Sequence, residues 1–278
     1  MPAPELIALA ELTEAEFGYE LGSSAPESVR SALGTTVDRI GGGVVLAMSN
    51  DPTGGFWDKS AAFGVTEPVT DELIGRVVEF HRQHGSPRTE ITIAPDFLPP
   101  DWESICSAYG LTPGDRQVKL ACAVDDFKPA TSDLRVGPVL PAHVDDWTRL
   151  VGTVLRSTDP YMLQMLAAFV ANPRVRAFAA WDGNELVAVA TLFVYGECAS
   201  FNMGITKPTH RNRGAQSALV TARALAAAEA GCRWLTAVTA KPTADAPVTS
   251  YNNLVRSGFA PIYERQGQVW QREPSSAD

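Results

Sequence analysis

The sequence has little of what would mark several common function classes. It holds four cysteines, at 106, 122, 198 and 232, with no C-x-x-C pair and no histidine at a ligand spacing beside them. That argues against a zinc motif and a disulfide framework, and no partner base marks a cysteine nucleophile. The cysteines read as small apolar core residues. Positive charge is not in excess: the formal net charge is -9. An acidic balance argues against nucleic acid and anionic membrane as partners, and is compatible with a cationic amine. No apolar run reaches the length of a membrane span; the alanine-rich run Ala222–Ala230 is interrupted by Arg223 and Glu229. Met1–Glu11 has neither a basic start nor a long apolar stretch, so no signal peptide is expected and the expected location is cytoplasmic. The glycine triplet Gly41–Gly43 leads into a strand pattern and not a helix, so it is not a phosphate loop.

The chain has 278 residues, 45% of them apolar and 20% charged, enough for one large or two ordinary domains with a sizeable core. Leu12–Leu33 reads as helix with a break at Gly22–Pro26, and Thr13 and Glu16 have capping-box spacing at its start. A glycine turn then feeds a strand ending at Met48, and Ala61–Thr66 reads as another. Thr70 caps a helix to His84, with Leu73, Val77 and Phe80 on one face. Glu90–Pro95 is a short strand, Asp101–Tyr109 a helix, Gln117–Val124 a strand, and 127–133 a linker. After it come a strand Leu134–Leu140, helices over Pro141–Arg156 and Tyr161–Val170, and a hairpin of Val175–Trp181 and Glu185–Val194 through Asp182-Gly183-Asn184. Trp181 reads as core. Ala199–Ile205 is a strand, and Ala215–Ala230 a helix burying Ala218, Leu219, Ala222, Leu225 and Ala226. Trp234–Ala240 is a strand, Thr249–Ser257 a helix, and Ile262–Arg272 a closing strand before a frayed Pro274–Asp278.

The chain is organised around the loop between strand Ala199–Ile205 and helix Ala215–Ala230. It reads Thr206-Lys207-Pro208-Thr209-His210-Arg211-Asn212-Arg213-Gly214. A strand passing through such a loop into a helix presents free backbone N–H groups and the positive end of the helix dipole, which favour an anion. Gly214 lets the backbone approach the anion closely. Arg211 and Arg213 add charge, and His210 is expected to face solvent.

The two halves echo each other. Gly64-Val65-Thr66-Glu67-Pro68 matches Gly204-Ile205-Thr206-Lys207-Pro208 at an offset of 140 residues, and Gly110 matches Gly258 at an offset of 148. After Pro68 the first copy reads Val69-Thr70-Asp71-Glu72, so acids stand where the second copy has arginines and glycine. Carboxylates there satisfy the helix start internally and repel phosphate.

Arg211-Asn212-Arg213-Gly214-Ala215-Gln216 resembles the pyrophosphate signature of the GNAT superfamily of N-acetyltransferases, which asks for Arg or Gln, two residues, Gly, one residue, then Gly or Ala. Arg211 and Gly214 fit; Gln216 departs, and its side chain either crowds a phosphate or binds one. The element order of 134–272 and the ending Ser250-x-x-Asn253-Leu254-x-Arg256-x-Gly258-Phe259 also resemble a GNAT domain. The resemblance implies an α/β fold of two tandem GNAT-like units, each a mixed twisted sheet flanked by helices: 1–126 without the loop, the linker 127–133, and 134–278. It implies acetyl-CoA as cosubstrate and no metal. Pantetheine would pair with the backbone of Met203, Gly204 and Ile205. Pyrophosphate would sit on the amides of Arg211, Asn212, Arg213, Gly214, Ala215, Gln216 and Ser217. Asn253 either binds pantetheine or hydrogen-bonds its own loop.

The implied activity is acetyl transfer to a primary amine of a small-molecule or peptide acceptor. A non-catalytic acyl-CoA sensor is the alternative, and a homodimer stays open. Many family members protonate the leaving thiolate with a Tyr at the position of Leu254. Here Tyr251, one turn earlier, is either that donor or a packing residue. Glu197 and Asp245 are the acids placed as bases, and each is otherwise a solvated surface group.

Overall fold

In the computed structural model, which describes residues 3–272, the chain opens with helices α1 (Pro4–Ser23) and α2 (Glu27–Leu33). Pro4 suits a first helical turn because its missing N–H has no helical partner there. The helix therefore starts before the capping-box spacing. Thr13 and Glu16 lie mid-helix: Thr13 bonds back to the Leu9 carbonyl at 2.7 Å, and Glu16 pairs with Arg39 at 2.7 Å. Strand β1 (Thr35–Ile40) has no counterpart in the sequence reading. It turns through Gly41 and Gly42, both at positive φ, into β2 (Gly43–Met48). Strand β3 is only Lys59–Ala61, not Ala61–Thr66: the backbone leaves the sheet at Ala62, which has φ +66°.

Helix α3 (Asp71–Gln83) is capped as its sequence predicts, with the Leu73 amide donating to Thr70 Oγ1 at 3.2 Å. Then come β4 (Arg88–Ile91), α4 (Trp102–Ala108) and β5 (Thr112–Ala123). Residues 127–133 form no regular element and lie along the next half, where the Ala130 amide donates to Thr221 Oγ1 at 2.9 Å. The second half runs β6 (Arg135–Pro138), α5 (Val144–Leu155), α6 (Pro160–Ala171), β7 (Val175–Asp182), β8 (Glu185–Tyr195) and β9 (Cys198–Thr206). It ends with α7 (Ala215–Glu229), β10 (Trp234–Ala240), α8 (Thr249–Arg256) and β11 (Ala260–Gln271). Pro274–Asp278 lies outside the described residues. Among the described residues no helix is long and apolar enough to cross a membrane.

All eleven strands form one sheet in the order β1-β2-β3-β4-β11-β5-β10-β9-β8-β7-β6. Among the described residues only β3–β4 and β9–β10 are parallel pairs. The closing strands of the two halves are exchanged. β5, from the first half, lies against β10; β11, from the second, lies against β4; and β5 and β11 pair with each other. The two halves therefore share their central strands.

Helix α7 buries Ala215, Ala218, Leu219, Arg223, Ala226 and Ala227 against the sheet. Leu225 does not join them. It is 57% exposed, and Ala222 is half-buried. Cys122, Cys198 and Cys232 are buried and Cys106 half-buried, all as free thiols. Trp181 is buried as expected, with the Arg135 guanidinium 4.0 Å from its ring centre.

Two polar clusters lie inside. On the face of the sheet away from α7, Arg265 of β11 donates to Glu11 at 2.7 Å and to Glu14 at 2.6 Å, both on α1. Lys119 of β5 pairs with Glu11 at 3.3 Å and with Glu14, and the Tyr263 hydroxyl donates to Glu11. Burial pushes the Glu14 carboxyl up, but Arg265 and Lys119 outweigh it and hold it well below the usual carboxylate range. Two carboxylates and two cations thus tie α1 to both exchanged strands. In the first half, buried His81 of α3 hydrogen-bonds Ser60 at 2.7 Å and Ser86 at 3.0 Å, and Ser86 donates to Asp58 at 2.5 Å. Asp58 Oδ2 is buried with no partner. Burial pushes the Asp58 carboxyl up to about 6 and the His81 imidazole down to about 3.

Two tests follow from these clusters. Glu11→Ala removes one of the two carboxylates that hold the buried Arg265 and Lys119 and leaves the Tyr263 hydroxyl without its acceptor, and is expected to cost about 3–5 kcal/mol in urea unfolding. A cost below about 1 kcal/mol would contradict this reading of the cluster. The raised Asp58 pKa means that the folded chain holds a proton the unfolded chain releases. Its contribution to stability is present below the unfolded value of 3.8 and is lost as pH rises through about 6. Asp58→Asn is therefore expected to exceed wild type at pH 7.5 by about 1–3 kcal/mol and to lose this pH dependence. An Asn variant no more stable than wild type at pH 7.5 would refute the assignment.

Candidate functional site

The parallel pair β9–β10 is incomplete. It runs from Cys198 opposite Trp234 to Phe201 opposite Ala237, and there it stops. Both strands continue, but with other partners. Val238, Thr239 and Ala240 pair with Lys119, Val118 and Gln117 of β5. Beyond Phe201, β9 pairs only with β8. A bulge marks the parting. The β8–β9 register shifts between Val189 and Thr191, and Met203 takes φ +50°. One β8 residue there faces two on β9, which bends the strand away. The facing backbone edges of 202–206 and 238–240 are left open to each other, a wedge that one extended amide-bearing chain would fill.

At the open end, β9 runs into the loop. A short turn at Pro208–His210 is followed by Asn212 at φ +61° and Gly214 at φ +78°, and α7 starts at Ala215. The helix start has no side-chain cap. Its first amides are therefore free to meet an anion, with the helix dipole behind them. Gln216 turns away from that place: its Nε2 donates to Thr206 Oγ1 at 2.9 Å, and its Oε1 lies 2.9 Å from where a Cβ on Gly204 would be. The departure at Gln216 is thus a brace between the helix and β9. A side chain at 204 would push the end of the Gln216 side chain aside.

The loop's cations are held from the β7–β8 turn. Arg213 donates to Asp182 Oδ2 at 2.6 Å, His210 lies 3.5 Å from the same oxygen, and Lys207 pairs with Glu185 at 2.8 Å. Hydrogen bonding from Arg213 draws the Asp182 carboxyl below its usual range. His210 therefore faces Asp182, not solvent. Its side chain is 13% exposed. Arg211 is exposed.

The other candidates fall in different places. Glu197 sits in the β8–β9 turn at the closed end of the pair, matched to Arg233 at 3.1 Å. A nine-residue strand, about 30 Å long, separates it from the loop. The structure does not bring it to the wedge. Asp245 is exposed between β10 and α8, beyond the open end. Tyr251 is half-buried against the core, beside buried Leu254. Asn253 is half-buried, its side-chain carbonyl accepting from Arg256 at 2.6 Å.

Two residues had no functional part in the sequence reading. Asp182 reads there only as a turn. Arg223 reads there as a polar break in an alanine run, yet it is 3% exposed. Its Nε donates to the Leu219 carbonyl at 3.1 Å, and its Nη1 to the carbonyls of Thr191 at 3.2 Å and Asn202 at 3.4 Å, beside the bulge. Spacing held the signal: 223 falls four residues after Leu219 and three before Ala226, on the buried stripe.

The first half repeats this geometry without the loop. β3 and β4 pair from Lys59 opposite Glu90 to Ser60 opposite Ile91 and then part, with Ala62 at positive φ. Ala62 and Met203, like Ser60 and Phe201, lie 141 residues apart. The helix start is closed, however. Thr70 caps it, Asp71 and Glu72 occupy its first turn, and the Tyr109 hydroxyl donates to the Asp71 carbonyl at 3.0 Å.

No protein-family model matches the sequence, and no curated protein matches it. Solved structures do match. A tandem GNAT protein from the clavulanic acid biosynthesis pathway superposes over 96% of this chain and 98% of its own, with a TM-score of 0.60 at 14% identity. A GCN5-related N-acetyltransferase from Kribbella flavida covers 90% of this chain and 95% of its own, with a TM-score of 0.58 at 18% identity. One from Sphaerobacter thermophilus covers 84% and 81%, with a TM-score of 0.58 at 11% identity. The chain has the tandem GNAT fold that the sequence resemblance implies.

Gly214 tests the loop geometry. At φ +78°, Gly214→Ala is expected to cost about 1–2 kcal/mol in urea unfolding. Gly137→Ala, with open space around it and no positive φ, is expected to change stability by less than about 0.5 kcal/mol. Equal effects at the two sites would contradict the left-handed loop.

Proposed function

We propose that this chain is an acyl-CoA-dependent N-acetyltransferase, moving acetyl from acetyl-CoA to a primary amine of a small-molecule or peptide acceptor. We read it as two GNAT-like units, 1–126 and 134–278, joined by 127–133, with the second as the working unit. One observation carries the reading: a wedge between parted parallel strands opens onto an uncapped helix start that bears Arg211 and Arg213. That pairing suits a ligand with an amide-bearing arm and a pyrophosphate.

The backbone of Met203, Gly204 and Ile205, released from β10, would pair with the pantetheine amides. The amides from Arg211 to Ser217 would take the pyrophosphate, with Arg213 turning from Asp182 towards it. The first unit offers no equivalent, because its helix start is capped and acidic. In the transfer, a neutral amine attacks the thioester carbon. The C–N bond forms, the C–S bond breaks, and sulfur leaves with the bonding pair. N–H groups at the bulge would support the oxyanion. Asp245 lies on the open side and is the better placed of the two acids to receive the amine proton. Leu254, buried where the resemblance asks for Tyr, and Tyr251, packed on the core, favour a second reading: a non-catalytic acyl-CoA sensor or regulatory protein. Turnover with a panel of amines separates the two.

Acetyl-CoA at about a hundred times its Kd stabilises a protein by roughly 2.7 kcal/mol. The expected result is a rise of several degrees in the Tm of wild type and none in Arg213→Glu. No rise in wild type at saturating acetyl-CoA would contradict the reading.

A further inference from the structure

The helix behind each parted strand pair places one buried polar side chain against the last paired strand residue. In the first half it is His81 on Ser60, and in the second it is Arg223, whose guanidinium lies 4.4 Å from the centre of the Phe201 ring. The strand residues lie 141 positions apart and the helix residues 142. The two are satisfied in opposite ways. His81 is neutral and ends a chain of hydroxyls leading to Asp58. Arg223 is a cation whose acceptors are all backbone carbonyls: Leu219 on its own helix, Thr191 on β8 and Asn202 on β9. Among the described residues no carboxylate lies within ion-pair distance of it. Burial pushes it down to about 9, which leaves it charged at neutral pH.

A buried cation without a carboxylate is costly unless an anion completes it. The charges on the opposite face do not offset it. Glu11 and Glu14 from α1 are matched there by Lys119 and Arg265 from β5 and β11, and Tyr263 is a neutral donor. The uncompensated charge stands where the wedge begins, tied to the carbonyl that precedes Met203. We propose that Arg223 is a positioning residue of the wedge: bonded from the α7 side to the Asn202 carbonyl, it places a charge that favours sulfur there as the thiolate. This rests on the acyl-CoA reading. It supplies what the missing Tyr would otherwise do. When the C–S bond breaks, sulfur keeps the electron pair as a thiolate stabilised by the nearby cation and takes its proton from solvent afterwards.

The test uses the full chain and CoA with its free thiol, and needs no acceptor. The thiolate ultraviolet absorbance of bound CoA is titrated with pH as a difference from ligand-free protein. In wild type the bound thiol is expected to titrate about one pH unit or more below free CoA. Arg223→Lys keeps the charge and is expected to keep the shift. Arg223→Met is expected to bind CoA within roughly tenfold of wild type, with its thiol titrating as in free CoA. A wild-type thiol that titrates like free CoA overturns the proposal, even where the Met variant does not fold. So does a Met variant that keeps the full shift. Failure of wild type to bind CoA at all is a different result: it removes the acyl-CoA reading itself, and this inference with it.

Discussion

The candidate site depends on two parallel strands that stop pairing. Past Phe201 and Ala237, β9 and β10 could continue a ladder, and each backbone group in it would be satisfied. The bulge at Met203 prevents this, with a left-handed residue that costs about 1–2 kcal/mol. The parted state persists because each strand is held on its outer edge. β8 holds β9, and β5 holds β10 as far as Ala240. β5 comes from the first half. A half with no open helix start of its own thus forms one support of the other half's wedge. The exchange of closing strands is the means, and the buried charges linking α1 to β5 and β11 fix it.

Electrostatics separate the two halves more sharply than backbone geometry does. Both have a parted strand pair and a positive-φ residue at the parting. The first half then closes its helix start with Thr70, Asp71 and Glu72, so that an approaching phosphate meets carboxylates. The second leaves its helix start uncapped and sets Arg213 and His210 around Asp182 beside it. That exposed carboxylate is a weak partner in water and keeps the cations near the loop at little cost.

Much of this was legible because the signals were local. The Thr70 cap, the Asp182–Asn184 turn and the loop with Gly214 are each set by a few neighbouring residues, and the structure has all three. The strand exchange was not legible, since pairing β5 with β10 joins residues more than a hundred positions apart and leaves no short pattern. Strand β1 escaped because Thr35–Ile40 carries Asp38 and Arg39 on a half-exposed edge. The α7 face was misjudged at two positions. Leu225 was placed on the buried face and Arg223 was read only as a break in an alanine run, whereas the stripe set by Leu219 and Ala226 takes Arg223 inward and leaves Leu225 out. Glu197 was placed at the start of the central strand; it lies in the turn just before it, and only the topology shows that this is the closed end.

Backbone amide hydrogen exchange with and without acetyl-CoA is the most direct test that the second half's wedge and helix start form an acyl-CoA site. The account predicts new protection at 203–206 and 212–217, with the equivalent positions at 62–66 and 70–75 unchanged. Protection in the first half, or none in either, would contradict it.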